Sequence, residues 1–229
     1  EAQRLIAEGA LEQLHGFTPK ELSQLAWAQG KTRAQHAGLL RALGRHALAE
    51  LPAFEPREAS ALAWGLATSQ VHDPELLLAL GEEASARRRE FPLREMANLL
   101  WAFAKGRVNP LAFSRVVSRE VASERKLLKA QDACNLAWAM ATLGIEDPVL
   151  FRTIAYFTLD RLEDFTPQGL SSLAWAFASM GIRELELLHG IGRASLARLG
   201  AFAPQGHSNL AWAFATLTAS EPELVRAHA

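Results

Sequence analysis

The side chains able to do recognition chemistry recur at three fixed offsets from a tryptophan. Seven residues before the ring stand Lys20, Arg57, Arg94, Gln131, Gln168 and Gln205. Three before it stand Gln24, Ala61, Asn98, Asn135, Ser172 and Asn209, and four after it Lys31, Thr68, Lys105, Thr142, Ser179 and Thr216. Arg107 follows two residues behind Lys105. Amides and hydroxyls can exchange hydrogen bonds with the exposed edges of unpaired bases, and lysine or arginine can hold phosphates. The competing reading is that a polar stripe is simply the solvated side of an amphipathic helix. The residue three before the ring is the better candidate for reading sequence, because a position that carries information must differ between repeats. The invariant ring cannot discriminate.

Those offsets exist because the chain is periodic. Trp27, Trp64, Trp101, Trp138, Trp175 and Trp212 each follow the previous one by 37 residues, a period that belongs to a repeat array and not to one globular core. Ten residues before each ring is Phe17, Phe54, Phe91, Leu128, Phe165 or Phe202. Helix-start signals follow: Thr18-Pro19-Lys20-Glu21 has the form of a capping box, and Glu55-Pro56 and Thr166-Pro167 repeat parts of it. A first helix of about fourteen residues should then run to Gly30, Gly106, Gly144 and Gly181.

Asp73-Pro74, Asn109-Pro110 and Asp147-Pro148 open a second helix, with helical apolar spacing at Leu150, Phe151, Ile154, Ala155, Leu159 and Leu162, and again at Leu187, Leu188, Ile191, Ala194 and Leu199. The fold class expected is all-α: an α-solenoid of six tandem 37-residue helix-pair repeats, right-handed, with the first helices on the concave side. It forms one array over 1–229, with a partial repeat at 1–16 and repeats at 17–53, 54–90, 91–127, 128–164, 165–201 and 202–229. Leu5, Ile6, Ala10, Leu11 and Leu14 fit a second helix without its first, and Pro222 starts one that stops at Ala229, so the chain is expected to be a piece of a longer repeat protein.

On a wheel at about 100° per residue the three polar offsets fall within about 40° of one another, opposite a core side formed two before and two after the ring. The core side carries Leu25, Leu62, Leu99, Leu136, Leu173 and Leu210, then Leu66, Phe103, Met140, Phe177 and Phe214. The residue just after the ring, on the flank of the stripe, is always small: Ala28, Gly65, Ala102, Ala139, Ala176 or Ala213. That smallness could admit a base, whereas the tryptophan itself reads as packing between repeats, with base stacking as the second reading.

Net charge is −1 with 24 basic and 25 acidic residues, so any basic surface must come from placement. The single cysteine, Cys134, sits where other repeats have serine or alanine and reads as a small packed residue; it excludes an internal disulfide. No apolar run is long enough to span a bilayer, so no membrane insertion is expected. His15, His36, His46, His72, His189, His207 and His228 show no metal-ligand spacing, no Gly-rich phosphate loop occurs, and no Ser/His/Asp set recurs. No catalytic residue, metal or cofactor is assigned, and the chain is not expected to be an enzyme. His207 stands where Leu22, Met96 and Leu170 face the core and is expected to be packed. Arg87-Arg88-Arg89 could touch phosphate or only solvate a helix end.

The run Asn135-Leu136-Ala137-Trp138-Ala139-Met140-Ala141-Thr142-Leu143-Gly144, followed by Asp147-Pro148-Val149-Leu150-Phe151, resembles the unit of the octotricopeptide and heptatricopeptide repeat proteins, the latter similar in period. All six repeats share the likeness, least in the first, where Gln29, Gly30 and Lys31 depart from it. The resemblance implies an organellar protein of mitochondrion or chloroplast that binds single-stranded RNA, a messenger or a ribosomal RNA segment, for processing, stability, translation or ribosome assembly. Ribosomal or other organellar proteins are further partners on this view. The alternative is a protein-binding scaffold subunit of a large organellar assembly such as a mitochondrial ribosome.

Overall fold

The computed structural model of the chain describes residues 2–32 and 36–218. Among these residues there are twelve α-helices and no strand. The first helices of the repeats are α2 (Pro19–Thr32), α4 (Pro56–Thr68), α6 (Leu93–Gly106), α8 (Ala130–Leu143), α10 (Pro167–Ser179) and α12 (Pro204–Thr218). The second helices are α1 (Ala2–Glu12), α3 (Ala37–Ala49), α5 (Pro74–Ala86), α7 (Leu111–Ser123), α9 (Pro148–Leu159) and α11 (Leu185–Leu196). The second helix proposed to start at Pro222 lies outside the described residues. No described helix is long and apolar enough to cross a membrane.

Helix starts form for the reasons their sequences give. Thr18 N–H donates to Glu21 Oε2 at 2.8 Å and Glu21 N–H returns a bond to Thr18 Oγ1 at 3.4 Å, so two orphan amide donors of α2 are satisfied reciprocally. Asp73 and Asp147 accept from Leu76 and Leu150 N–H at 3.1 and 2.9 Å, and Thr166 accepts from Gly169 N–H at 3.1 Å. At Asn109-Pro110 the helix begins one residue later, at Leu111, with the Pro110 carbonyl accepting from Ser114 N–H.

Two compact units divide the chain, Glu1–Val117 and Ser118–Ala229, with the boundary inside α7. In the N-terminal unit α2, α4 and α6 lie side by side, α1, α3 and α5 form a second layer, α2 and α4 lean on α3 and α5, the second helices of their pairs, and α6 also packs on α5. In the C-terminal unit α8, α10 and α12 form one layer, and α9 packs beside α11. This is helix-pair solenoid packing within each unit. The apolar floor between layers carries Leu62, Leu66, Leu99 and Phe103 in the first unit and Leu136, Met140, Leu173 and Phe177 in the second, all nearly or fully withdrawn from water. Aromatic contacts knit it: Phe103 lies 5.8 Å from Phe113, and Phe151 meets Phe177 edge-on at 5.1 Å.

Several sequence expectations need correcting. Gly30 does not end α2, which continues to Thr32; it is buried where a β-carbon would come within 3.0 Å of the Trp64 ring. Gly106 is the last residue of α6, and the left-handed position falls on Arg107 instead. Leu162 and Leu199 belong to short 3-10 turns after α9 and α11, and Leu199 is exposed. Such turns also occur at Leu14–Gly16, Leu51–Ala53 and Arg125–Leu127, each leading into the apolar residue that precedes a first helix. His207 is exposed, its ring 5.8 Å from Phe202, because α12 packs on α10 and no described element covers its other side.

Candidate nucleic-acid interface

The geometry of the first helices follows from small residues. A β-carbon on Gly65 would lie 2.3 Å from the Ala26 carbonyl oxygen, so α4 touches the backbone of α2 at that point. Ala102, Ala139, Ala176 and Ala213, at the same repeat position, are fully buried. On the opposite flank, Ala26, Ala63, Leu100, Ala137 and Ala174 are equally buried, while Ala211 on α12 is exposed. The flanking residue was expected to leave room for a base; at Gly65, Ala102, Ala139, Ala176 and Ala213 it is buried and closed to a base, while Ala28 on α2 is half-buried.

Close approach of the helices brings their tryptophans into a row. Trp27 and Trp64 lie 6.3 Å apart with planes tilted by 35°, and Trp64 and Trp101 stack at 6.4 Å and 19°. The rings do pack from repeat to repeat, as expected, but on the polar face and not in the core: Trp27 is 47% exposed and Trp64 and Trp101 are half-buried. The helical wheel explains this, since the ring position lies only about 20° from the nearest polar offset. Lysines complete the row. Lys31 Nζ sits 5.5 Å from the Trp27 ring and 5.3 Å from Trp64, and Lys105 Nζ sits 5.7 Å from Trp101.

Around that row the N-terminal unit places exposed Lys20, Gln24 and Lys31 on α2, Arg57 on α4, and Arg94 and Lys105 on α6, with Asn98 half-buried. Asn98 Nδ2 donates to Glu95 Oε2 at 3.2 Å, and the same carboxylate accepts from Ser60 Oγ of α4. Arg107 stands off the helix, beyond the end of α6, at φ 54°. In the C-terminal unit the stripe has no charge. Gln131 Nε2 donates to Asn135 Oδ1, and Gln205 Nε2 to Asn209 Oδ1, both at 2.9 Å. These i, i+4 bonds fix the half-buried asparagines beneath exposed glutamines. Gln168 is exposed and Ser172 half-buried at the equivalent places on α10.

The structure commits Arg87 to the fold and keeps Cys134 in the packed role expected of it. Arg87 donates to the carbonyls of Pro52 and Phe54 at 3.2 and 3.0 Å and to Glu83 and Glu90, the latter bond holding its guanidinium more firmly protonated. Arg198 does the same to Phe165 O at 2.9 Å. Both occupy one repeat position and tie a repeat to the turn of the preceding one, so Arg87 is committed to the fold. Reading the arginines in register, 111 residues apart, would have found this pair. Cys134 is buried, and its thiol is pushed up to about 12, first by burial and then by the Asp132 charge, which makes it inert at neutral pH.

The first-helix face of the N-terminal unit thus combines an aromatic row, lysines across its rings and arginines at its margin, and that of the C-terminal unit carries fixed amides. No curated protein matches the chain. The model of the RNA-editing substrate-binding complex 6 protein family matches residues 84–229, more than half the chain and all of α6 to α12. Together with the helical repeats, that match shows an RNA-related helical-repeat protein, and the chain belongs to the RNA-editing substrate-binding complex 6 protein family.

Proposed function

We propose that the chain binds single-stranded RNA on the faces of its first helices, as the RNA-contacting subunit of an RNA-editing substrate-binding complex. The observation that carries this reading is the row Trp27, Trp64, Trp101 with Lys31 and Lys105 across it. Proteins that hold single strands combine aromatic platforms with a cationic track, and each stacked base contributes about 1–3 kcal/mol. Trp64 already has a neighbour on either side, so stacking is open chiefly to Trp27, with ring edges offered elsewhere. Lys20, Arg57 and Arg94 would hold phosphates, while Gln131, Asn135, Gln168, Ser172, Gln205 and Asn209 would meet base edges.

The family match supports an editing substrate over a ribosomal RNA segment. We place the action in the mitochondrion; the match lends the chloroplast no support. Membership of the octotricopeptide or heptatricopeptide branch remains part of this proposal, carried by the repeat unit around Trp138. The reading assigns no catalytic step to this chain. Protein partners are favoured by a separate observation: the second helices expose Leu78, Leu111, Val149 and Tyr156. Filter binding of a random pool of single-stranded RNA at two salt concentrations tests the proposal. Affinity should fall linearly on logarithmic axes as salt rises. An affinity too weak to measure at the lower salt would give the face to a protein.

A further inference from the structure

Four first helices, α4, α6, α8 and α10, end in one way. An N–H just past the helix reaches back to the carbonyl five residues earlier: Val71 to Leu66, Val108 to Phe103, Ile145 to Met140, and Ile182 to Phe177. The residue before it takes the left-handed conformation that this closure requires. It is Gln70 at φ 58°, Arg107 at 54°, Gly144 at 63° and Gly181 at 65°. Glycine adopts that conformation without steric cost, whereas a β-carbon makes it unfavourable. Two repeats follow the rule, and two adjacent repeats retain a long polar side chain against it.

Those two side chains line the same cleft. It has a volume of about 430 Å³, and its walls are Ala67, Thr68, Gln70, Val71, His72, Lys105, Gly106 and Arg107, all within the N-terminal unit. Two cations and no carboxylate line it. The Thr68 hydroxyl is buried and has no hydrogen-bond partner among the described residues, although a helical threonine can bond its own backbone, as Thr32 Oγ1 does to Ala28 O at 2.9 Å. Cations at a helix C-terminus complement its dipole, which accounts for Lys105 and Arg107 as types. It does not account for the left-handed Gln70 or for the unpartnered hydroxyl. Backbone strain retained with a specific side chain marks a functional position.

We infer that this cleft is a nucleotide subsite. It takes one splayed-out nucleotide of the bound strand, with its phosphate on Arg107 and Lys105 and its base edge against the Gln70 amide and the Thr68 hydroxyl. The inference rests on the RNA-binding reading of the first-helix face. Lys105 joins the two, since the ammonium that lines the cleft also lies over Trp101. The volume falls within the roughly 300–1,000 Å³ usual for small-ligand sites.

Gln70→Gly and Arg107→Gly provide the test, because glycine suits the left-handed turn and neither variant should melt below the parent. With a random-sequence single-stranded RNA as probe, Arg107→Gly should weaken binding about tenfold and lower the logarithmic salt slope by about 0.7, one phosphate contact. Gln70→Gly should weaken binding and leave the slope unchanged. An RNA carrying photoreactive 4-thiouridine should crosslink to the parent within 67–72 or 105–107. If the parent binds RNA while both variants bind it equally and crosslinks fall only elsewhere, the cleft is a structural turn and the subsite is refuted. If the parent itself does not bind RNA, the reading of the whole face fails, and the subsite with it.

Discussion

At the scale of the residue, burial decides which chemistry survives. Cys134 could have been a reactive thiol by composition alone; buried on α8, with a charged Asp132 close by, its thiol is pushed up from an ordinary value of 9.0 to about 12. The sign follows from linkage. A group whose folded value lies above its unfolded one contributes stability that is fully present below about pH 9 and is lost as pH rises toward about 12. Replacing it by serine, which Ser23, Ser60 and Ser171 already show to fit by bonding the carbonyl three residues back, should remove that dependence. Urea midpoints at pH 8 and pH 10 check this: the Cys134→Ser protein should lose less stability over the interval than the parent. Arg87 shows burial of another kind, since its donors are directed at the turn of the preceding repeat and at two glutamates. An arginine triplet read without its register looks like a phosphate contact.

At the scale of the element, much was legible because it is local. Thr18 with Glu21, Asp73, Asp147 and Thr166 cap the helices that their sequences announce, and Gly144 and Gly181 take the left-handed turn. What stayed hidden depends on a neighbour. Gly30 and Gly65 are glycines because another helix leaves no room, and nothing in their own repeat says so. Ala102, Ala139, Ala176 and Ala213 looked like an opening beside the stripe and are fully buried. The exposure of His207 depends on which elements cover α12. The half-exposed tryptophans were legible on the wheel, but invariance suggested a buried packing role. Gly65→Ala should push α4 off α2, with a β-carbon set against the Ala26 backbone, and destabilise the protein by about 1–3 kcal/mol. Thermal melting monitored by circular dichroism measures that loss; an unchanged midpoint would mean that the two helices separate without cost.

At the scale of the whole molecule, the chemistry of the first-helix face differs between the two units, each taken by itself. Residues up to Val117 carry the cations Lys20, Lys31, Arg57, Arg94, Lys105 and Arg107 beside stacked tryptophans, and residues from Ser118 carry Gln131, Asn135, Gln168, Ser172, Gln205 and Asn209. Phosphate contacts position a strand and base contacts specify it, so the two halves of the chain should fail differently when mutated. The direct measurement is RNA affinity across a salt series for two double variants, each against a preferred and a scrambled single strand. Arg57→Ala with Arg94→Ala should weaken binding to both strands and flatten the logarithmic salt slope by about 1.4, two charges at about 0.7 each. Asn135→Ala with Asn209→Ala should leave the slope alone and erode the preference between strands. Equal losses from both pairs, or no loss from either, would contradict an RNA-binding face built from these helices.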